Sequence, residues 1–263
     1  ILDVDSGLNF LKEFKEPTAV IIKHNNACGV GSSADISNSF LKAYNCDKKS
    51  SFGGVVLINR RVRKELANLI KKKFFEVLVA PSFTKGALKI LKERKNLILI
   101  NSKKLPLIKK ETYKSVRVGF LSQKNNNNTV SKSNFKIVTK NTKISKREYE
   151  DIIFAFKVVK HIKSNAIVLV KNKQTLGIGA GQMNRYDATR IALMKYKDSF
   201  SLKNLVCASD AFFPFNDSLR LLNKNNCSCI VAPSGSINDQ KIVDYANKKN
   251  MRLIFSSKRV FKH

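Results

Sequence analysis

A lysine-histidine pair ends an apolar run in the segment AVIIKHNNACGVG, which extends from Ala19 to Gly31. The apolar residues predict a buried strand, and glycines before a helical pattern are typical of the turns at which open α/β sheets build active sites. A histidine, whose ordinary pKa is about 6.5, can accept a proton, and a lysine can stabilise an oxyanion as a point charge. The segment therefore indicates an enzyme in which Lys23 and His24 could take these roles; a solvated or hydrogen-bonded histidine at a strand end is the structural alternative.

The geometry of this pair depends on where the strand ends. Successive side chains of a strand point to opposite faces of the sheet, so Lys23 and His24 can meet one substrate only if the strand ends at Lys23. We expect the residues from Asn25 to Gly31 to form a turn that allows this. Cys28 is a candidate thiolate nucleophile beside the pair, although the glycine that follows it favours a role in packing the turn.

Three later segments carry candidate binding groups. The glycines of TLGIGAGQMNR (Thr175–Arg185) allow two structures: an anion cradle of helix N–H groups and the Arg185 guanidinium, or a strand packed closely against its neighbours. In ASDAFFPFND (Ala208–Asp217) the phenylalanines predict a plug in the core, and Asp217 is predicted to cap a helix. The third segment is SFGGVVLINR (Ser51–Arg60).

Together with KHNNACGVG, these segments stand in the same order and at similar spacing as the motifs of the AICAR transformylase domain of bifunctional purine biosynthesis proteins (AICAR is 5-aminoimidazole-4-carboxamide ribotide). The chain resembles that domain from Ile1 to His263. Ala27 stands where the family has a proline, and Ser234 where it has a glycine. The family's upstream R-Y-G-x-N-P-H-Q element, which supplies a phosphate-binding arginine, and its N-terminal cyclohydrolase domain are not in the sequence. We expect either a fragment of a longer enzyme or an eroded gene.

The resemblance implies formyl transfer from 10-formyltetrahydrofolate to AICAR, giving formyl-AICAR in IMP biosynthesis, by a cytoplasmic homodimer with active sites shared between subunits. It gives Lys23 and His24 the catalytic roles described above. It also makes Asn165 a catalytic residue that binds the substrate carboxamide, whereas its position before an apolar strand is by itself typical of a cap or turn. The other implied site residues are Arg185, Phe212 and Arg259 for AICAR, and Ser51, Phe52, Gly53, Pro214, Phe215 and Asp217 for the folate.

The resemblance also implies the fold: two cytidine-deaminase-like, three-layer α/β units. Zinc deaminases carry H-x-E and P-C-x-x-C elements. Here His24 is followed by Asn25 and Asn26, and the sequence contains no C-x-x-C. We therefore expect this version of the fold to work without zinc or another metal.

Strand-like runs alternate with helical patterns along most of the chain, as in α/β folds. The run from Asn125 to Asn128 predicts a loop, so we expect a first unit over residues 1–134 and, over 135–263, a linking helix and the second unit, each with its own sheet. Ser145 and Glu148 predict a capping box at the start of that helix. Predicted strands are Val20–Lys23, Gly54–Ile58, Val77–Ala80, Leu97–Ile100, Ala166–Val170, Thr175–Ile178, Leu205–Ala208, Ser228–Val231 and Leu253–Phe255. Predicted helices are Ile36–Tyr44, Val62–Phe74, Lys85–Lys92, Arg185–Tyr196, Asp217–Asn223 and Asp239–Asn247.

Composition limits the alternatives. The chain has 263 residues, 43% of them hydrophobic, which is typical of globular proteins. It has no leader at its start and no apolar run of the roughly 18 residues that span a bilayer, so we expect neither secretion nor a membrane partner. The net charge of +31 raises the alternative of a basic nucleic-acid-binding module. The lysines, however, are spread along the chain with many Asn and Ile residues, as an AT-rich coding sequence would produce, and no nucleic-acid-binding motif accompanies them. A third alternative is a decayed, inactive transformylase that survives as a structural partner.

The five cysteines show no disulfide framework and are typical of a reduced, cytosolic protein. Cys227 and Cys229 are two positions apart on a predicted strand, so we expect them to point the same way. Two thiols without a partner histidine make a poor zinc site, and we expect both to be core residues.

Overall fold

The computed structural model describes residues 1–104, 111–124, 130–200 and 202–263. Within these residues, eleven strands form one mixed sheet with helices on both faces, so the protein has a three-layer α/β fold. The asparagine loop predicted at 125–128 lies outside the described residues. The helices are α1 (Leu2–Leu11), α2 (Ile36–Cys46), α3 (Lys48–Ser51), α4 (Lys64–Lys71), α5 (Lys85–Lys92), α6 (Lys146–Val159), α7 (Arg185–Ser199), α8 (Asp217–Lys224) and α9 (Asp239–Lys248). The strands are β1 (Thr18–Lys23), β2 (Asn26–Ser32), β3 (Gly54–Ile58), β4 (Phe75–Ala80), β5 (Ile98–Asn101), β6 (Glu111–Val116), β7 (Gly119–Lys124), β8 (Phe135–Ile137), β9 (Ile167–Lys171), β10 (Gln174–Gly179), β11 (Leu205–Ser209), β12 (Cys227–Pro233) and β13 (Arg252–Ser256).

Two similar halves meet at the centre of the sheet. The strand order is β5-β4-β3-β1-β2-β10-β9-β11-β12-β13-β8. Each half contributes an antiparallel hairpin, β1–β2 or β9–β10, and the sheet continues outward from each hairpin with an antiparallel strand and then two parallel strands. In the second half an antiparallel edge strand, β8, follows. β2 and β10 pair antiparallel, so the two sheets expected from the sequence are joined into one. β6 and β7 form a separate hairpin.

Alternating strand residues supply both faces of the sheet. In β1, Val20 and Ile22 belong to the apolar core beneath α1 and α6, whereas Ala19 and Ile21 belong to the core beneath α2, α4 and α5. A third core lies beneath α7, α8 and α9. Burial of the strands on both faces explains their nearly continuous apolar runs. No helix in the described part of the chain is both long and apolar enough to cross a lipid bilayer.

Most predicted strands and helices are confirmed, with ends that differ by a few residues. The helix predicted at Lys85–Lys92 has those bounds. Ser145 is the N-cap of α6, and its hydroxyl accepts a hydrogen bond from Glu148 N at 3.2 Å. The Glu148 carboxylate pairs with Arg252 at 2.5 Å instead of completing the capping box. The sequence patterns do not predict α1, α3, β8 or the β6–β7 hairpin.

The turn expected from Asn25 to Gly31 is wrong. Most of that segment is strand β2, which pairs with β1 and leaves only His24 and Asn25 in the turn. A Cβ at Gly29 would lie 2.0 Å from Ala43 O of α2. The glycine therefore allows a helix to lie directly against a strand, which is a different use from the turn that its type indicates.

Cys227 and Cys229 belong to different cores, so the expectation that they point the same way is also wrong. Leu205 pairs with Cys227 and the next residue, Val206, with Cys229, so the register of β11 and β12 shifts at this point. Because of this bulge, Cys227 joins the core beneath α7 to α9 and Cys229 the core beneath α1 and α6. All five cysteines are buried and free.

Candidate functional site

Lys23 and His24 lie at the tip of the β1–β2 hairpin. β1 ends at Lys23, and His24 and Asn25 form the turn with φ angles of 53° and 61°. The condition that the strand must end at Lys23 is therefore met. Lys23 is half-buried and His24 is exposed.

The loop after α3 brings a predicted folate-binding segment next to Lys23. The Lys23 ammonium group donates a hydrogen bond to Phe52 O at 2.7 Å. The Phe52 side chain is 63% exposed, and Gly53 has a φ of 71°. Ser51 is buried, and its hydroxyl donates to Asp47 O at 2.7 Å. Phe52 and Gly53 therefore form the surface of this loop, while Ser51 anchors it.

Cys28 is unsuited to act as a nucleophile. Its side chain lies in the core beneath α2, α4 and α5. Burial raises the pKa of this thiol to about 12, so it stays protonated at neutral pH. Only a thiolate is an effective nucleophile. Of the two roles considered for Cys28, packing is the one that agrees with the structure.

Asn165 is held in one orientation by the segment before α7. Its Nδ2 donates to Gln182 O at 2.9 Å and to Met183 O at 3.1 Å. Its Oδ1 accepts from Arg185 Nη2 at 2.7 Å. These bonds use both amide hydrogens and one of the two lone pairs of the oxygen. Asn165 can therefore accept one more hydrogen bond, but it cannot donate one without losing a present contact.

A buried ion pair stands behind Asn165. Arg185 is the first residue of α7, and its Nη1 lies 2.5 Å from Asp210 Oδ1. The Asp210 side chain is 0% exposed and also accepts from Ala166 N at 3.1 Å and from Ser164 Oγ at 2.5 Å. Asp210 is not among the residues predicted for the site. The signal that could have found it is a carboxylate directly after a buried strand, where an ionised group needs a partner.

Two glycines of TLGIGAGQMNR allow α7 to pack against β10. A Cβ at Gly177 would lie 2.0 Å from Ala192 O, and a Cβ at Gly179 would lie 1.9 Å from Ala188 O, both in α7. Close packing is therefore the use that these two glycines have, rather than an anion cradle. The Arg185 guanidinium likewise points to Asp210.

The C-terminal segment returns to the same place. Val260 N donates to Asp210 O at 3.2 Å. Arg259 is exposed, and its guanidinium carbon lies 5.4 Å from the centre of the Phe212 ring, which is within the range of a cation–π contact. The three residues predicted to bind AICAR thus lie on segments that meet at Asp210: Arg185, Phe212 and Arg259.

The phenylalanines of ASDAFFPFND have different environments. Phe213 is buried and forms the expected plug, with the Arg185 guanidinium carbon 6.0 Å from its ring. Phe215 is 64% exposed. Pro214 O accepts from Asn238 Nδ2 at 2.9 Å, which fixes the loop that presents Phe215.

Asp217 is not the N-cap of α8, so this prediction is wrong by one position. Asn216 occupies the N-cap position, and Asp217 is the first helical residue. The Asp217 carboxylate accepts from Ser218 N at 2.6 Å. A carboxylate anywhere in the first turn interacts favourably with the helix dipole, which is why the residue type alone did not fix the position.

A hydrogen bond joins the hairpin tip to the Asn165 segment within one chain. Asn26, which pairs with Lys23 in the hairpin, accepts through Oδ1 from Lys163 N at 3.0 Å. Lys163 is two residues before Asn165. The three predicted catalytic residues therefore lie on two segments that contact each other.

The family model described as AICARFT/IMPCHase bienzyme matches residues 1–195. The chain belongs to this family. Proteins described as bifunctional purine biosynthesis protein PurH align over the whole chain: 46% identical in Caldicellulosiruptor saccharolyticus, 44% in Acetivibrio thermocellus and 42% in Buchnera aphidicola subsp. Schizaphis graminum. The chain spans about half the length of these relatives, 51% in each case.

In this member of the AICARFT/IMPCHase family, the site combines an exposed imidazole, an ammonium group held by a backbone carbonyl, and an oriented amide oxygen. A base, a cation for an oxyanion and an orienting group are the parts that acyl transfer to an amine requires. Among the described residues, no three or more His, Cys, Asp or Glu side chains lie close enough together to hold a metal ion.

Proposed function

We propose that the chain transfers the formyl group of 10-formyltetrahydrofolate to the amino group of AICAR, in purine biosynthesis. The observation that carries this proposal is a contact between the β1–β2 hairpin, which bears Lys23 and His24, and the Asn165 segment. Asn26 and Lys163 form this contact. Membership of the AICARFT/IMPCHase family, and relatives named for purine biosynthesis, support the choice of substrates.

His24 and Lys23 carry the chemical step in this proposal. The amine nitrogen forms a bond to the formyl carbon, and the bond from that carbon to N10 of the folate breaks. His24 accepts the proton that the amine loses and returns a proton to N10, for which its exposed ring is accessible. Lys23 donates one of its three ammonium hydrogens to Phe52 O, so two remain to stabilise the negative charge that develops on the formyl oxygen.

Asn165 orients AICAR. The second lone pair of its Oδ1 accepts a hydrogen bond from an N–H of the substrate carboxamide or amine. The Arg185 guanidinium is already bonded to Asp210 and Asn165, so Arg185 supports AICAR by fixing Asn165. Arg259 is exposed above Phe212, and we assign the ribotide phosphate to it.

The folate binds between exposed aromatic side chains. Phe52 and Phe215 are both more than half exposed, which suits a site that closes on the aminobenzoate ring. Gly53 and Pro214 shape the two loops, and the Asp217 carboxylate pairs with N–H groups of the pterin. Ser51 acts by holding the first loop.

We also propose a cytoplasmic homodimer with active sites shared between subunits. The β6–β7 hairpin lies outside the main sheet and exposes Tyr113 and Phe120 on one face and Leu121 on the other, apolar side chains of the kind that association covers. Five free cysteines agree with a reducing compartment. Light scattering at micromolar concentration should give twice the mass of one chain, and a fully active monomer would contradict shared sites.

The test of the activity compares two hairpin turns. His24→Ala should lower kcat for formyl-AICAR formation by about a hundredfold or more and leave AICAR binding within a few-fold, because it removes the base but no binding contact. Asn172→Ala, at the same place in the second hairpin, should leave kcat within about twofold. Chromatography of the products at saturating substrates gives both values.

Two results would contradict the activity: no formyl-AICAR from a folded chain that binds both substrates, or equal turnover by the His24→Ala variant. Lys23→Met provides the corresponding test of the oxyanion role. It should lower kcat while the fold, measured by circular dichroism, is unchanged.

A further inference from the structure

A carboxylate on α1 holds the turn that carries His24. Asp3 lies in the first turn of α1 and is half-buried. Its Oδ1 accepts from Asn25 N at 2.6 Å, and its Oδ2 accepts from His24 N at 3.2 Å. Both oxygens of one side chain thus bind both amides of the turn.

This contact matters because the turn is a disfavoured backbone conformation. His24 and Asn25 have φ angles of 53° and 61°, in the left-handed region where a Cβ crowds the backbone. Hydrogen bonds from backbone amides to an ionised carboxylate are stronger than those to a neutral acceptor. Asp3 therefore favours the one turn conformation that sets the direction of the His24 side chain.

Helix α1 is itself fixed, so Asp3 is a firm anchor. A Cβ at Gly7 would lie 2.1 Å from Leu57 Cδ1, which shows how closely α1 lies on β3. Two residues beyond the end of α1, Glu13 accepts from Lys160 at 2.7 Å and lies 3.0 Å from the His161 ring nitrogen, which ties this end of α1 to the residues that follow α6. The Ser6 hydroxyl lies 3.2 Å from the side-chain amide of Asn25.

The second half of the chain contains the same arrangement without the histidine. Asp151 of α6 accepts from Asn172 N at 2.8 Å and from Lys173 N at 2.7 Å, and both turn residues have φ angles of 52°. The recurrence shows that a helix carboxylate is the means by which this fold holds its central hairpins. Of these two hairpins, only the first carries an exposed imidazole at its turn.

We propose that Asp3 is a positioning residue for His24: it binds no substrate, and it fixes the imidazole relative to Lys23 and Asn165. The inference rests on the proposed function. A displacement of about 1 Å in a reacting group can lower a rate up to a hundredfold, so the loss of this anchor should appear in kcat.

The first experiment measures the turn without reference to activity. In the wild-type chain, the amides of residues 24 and 25 should exchange slowly with deuterated water, because both are hydrogen-bonded. In Asp3→Ala they should exchange at least about tenfold faster, while the amides of residues 172 and 173 keep their rates. Unchanged exchange at 24 and 25 would overturn the proposal, even in a chain without formyltransferase activity.

The second experiment measures kinetics. Asp3→Ala should lower kcat about ten- to a hundredfold and change KM for AICAR less than about threefold. Asp3→Asn keeps one acceptor oxygen and should recover part of kcat. Asp151→Asn is the matched control, and its folded fraction should keep kcat within about twofold.

A double variant separates positioning from a general loss of structure. In the His24→Ala background, Asp3→Ala should not lower kcat further, because the group that Asp3 positions is gone. An additional drop in the double variant, or a normal kcat in Asp3→Ala, would overturn the positioning role. Activity that depends on His24 but not on Asp3 would leave the proposed function intact.

Discussion

The two central hairpins have the same scaffold but different turn residues. In each, a helix carboxylate binds both turn amides: Asp3 at His24 and Asn25, Asp151 at Asn172 and Lys173. The first turn presents an imidazole at the surface, whereas in the second the Lys173 side chain is paired with two glutamates. A contact that recurs in both halves serves the fold in each, so any role in chemistry comes from the residues that the contact holds. The positions where the halves differ are therefore the strongest candidates for chemistry.

At a second pair of equivalent positions it is the second half, and not the first, that carries the distinctive residue. Asn59 follows β3 and accepts from Thr18 N at 2.8 Å, and Asp210 follows β11 and accepts from Ala166 N at 3.1 Å. Each holds the start of the neighbouring strand. Asn59 is neutral, but Asp210 is charged and pairs with Arg185, which in turn fixes Asn165. The first half is thus specialised at its turn and the second at the end of a strand.

The largest expected effect compares these two strand-end residues. Asp210→Ala should lower the free energy of unfolding by about 3–5 kcal/mol, because it leaves the Arg185 charge buried without its partner. Asn59→Ala should cost about 1–3 kcal/mol, the effect of unsatisfied neutral groups. Urea unfolding followed by circular dichroism measures both.

The control for this comparison removes both charges. Asp210→Leu combined with Arg185→Met should be more stable than Asp210→Ala, because no buried charge is left unpaired. If Asp210→Ala and Asn59→Ala lose the same stability, the ion pair adds nothing to the neutral contact, and the second half is not specialised in the way argued above.

The next largest expected effect is the pH dependence of stability, which should have one sign at Glu13 and the opposite sign at Asp151. Hydrogen bonds from His161 and Lys160 outweigh burial and hold the pKa of Glu13 below 4.5. Burial instead holds the pKa of Asp151 above 3.8, although the amides of Lys173 and Asn172 act against it. Relative to Glu13→Gln, the wild type should therefore lose stability as the pH falls below 4.5. Relative to Asp151→Asn, it should gain stability as the pH falls through the raised pKa of Asp151.

Urea unfolding between pH 7 and pH 3 tests both signs in one series. Burial lowers the pKa of His161 and the neighbouring Glu13 acts against it, so the wild type and Asp151→Asn share the destabilising effect of His161, whereas Glu13→Gln removes its partner. The comparison with Glu13→Gln is therefore made below pH 4.5, where Glu13 itself takes up its proton. The same sign in both comparisons would show that the environments of these carboxylates are alike, contrary to the structure.

Periodicity predicted the helices and strands that pack in regular layers, such as α5 and the strand Gly54–Ile58, because their side chains repeat at helical or strand spacing. It failed where small residues serve packing between elements, as Gly29 does in β2. It also failed for Cys227 and Cys229, since a bulge changes which face a side chain occupies. Such features depend on the neighbouring element, which a local pattern does not contain.

The candidate site divides in the same way. The Lys23–His24 pair was visible because its residue types and the strand end are local. The contact of Lys23 with Phe52 O and that of Asn26 with Lys163 join residues far apart in sequence, so the composition of either segment could not reveal them. The role of Asp3 needed the structure for the same reason: a carboxylate in the first turn of a helix is sufficiently explained by the helix dipole.

Positive charge is the property in which the two halves are most alike. Residues 1–134 contain 26 Lys and Arg and 10 Asp and Glu, a net charge of +16, and residues 135–263 contain 24 and 9, a net charge of +15. A nucleic-acid-binding surface would concentrate charge on one face or one element, whereas this even distribution favours a compositional origin.

The smallest expected effect is therefore binding to duplex DNA or RNA. The dissociation constant should be above about 1 μM at physiological salt, and it should depend strongly on salt but not on base sequence. Two sets of exposed lysines provide a matched comparison, Lys48, Lys49 and Lys72 in the first half and Lys241, Lys248 and Lys249 in the second. Changing either set to Gln should reduce the slope of log K against log salt by the same amount, at most about 3. The reason is that, without a dedicated binding face, every exposed lysine contributes equally to the neutralisation of phosphates. Fluorescence anisotropy over a salt series measures this slope. Nanomolar, sequence-selective binding, or a loss confined to one set, would reveal a nucleic-acid face and support the basic binding module instead.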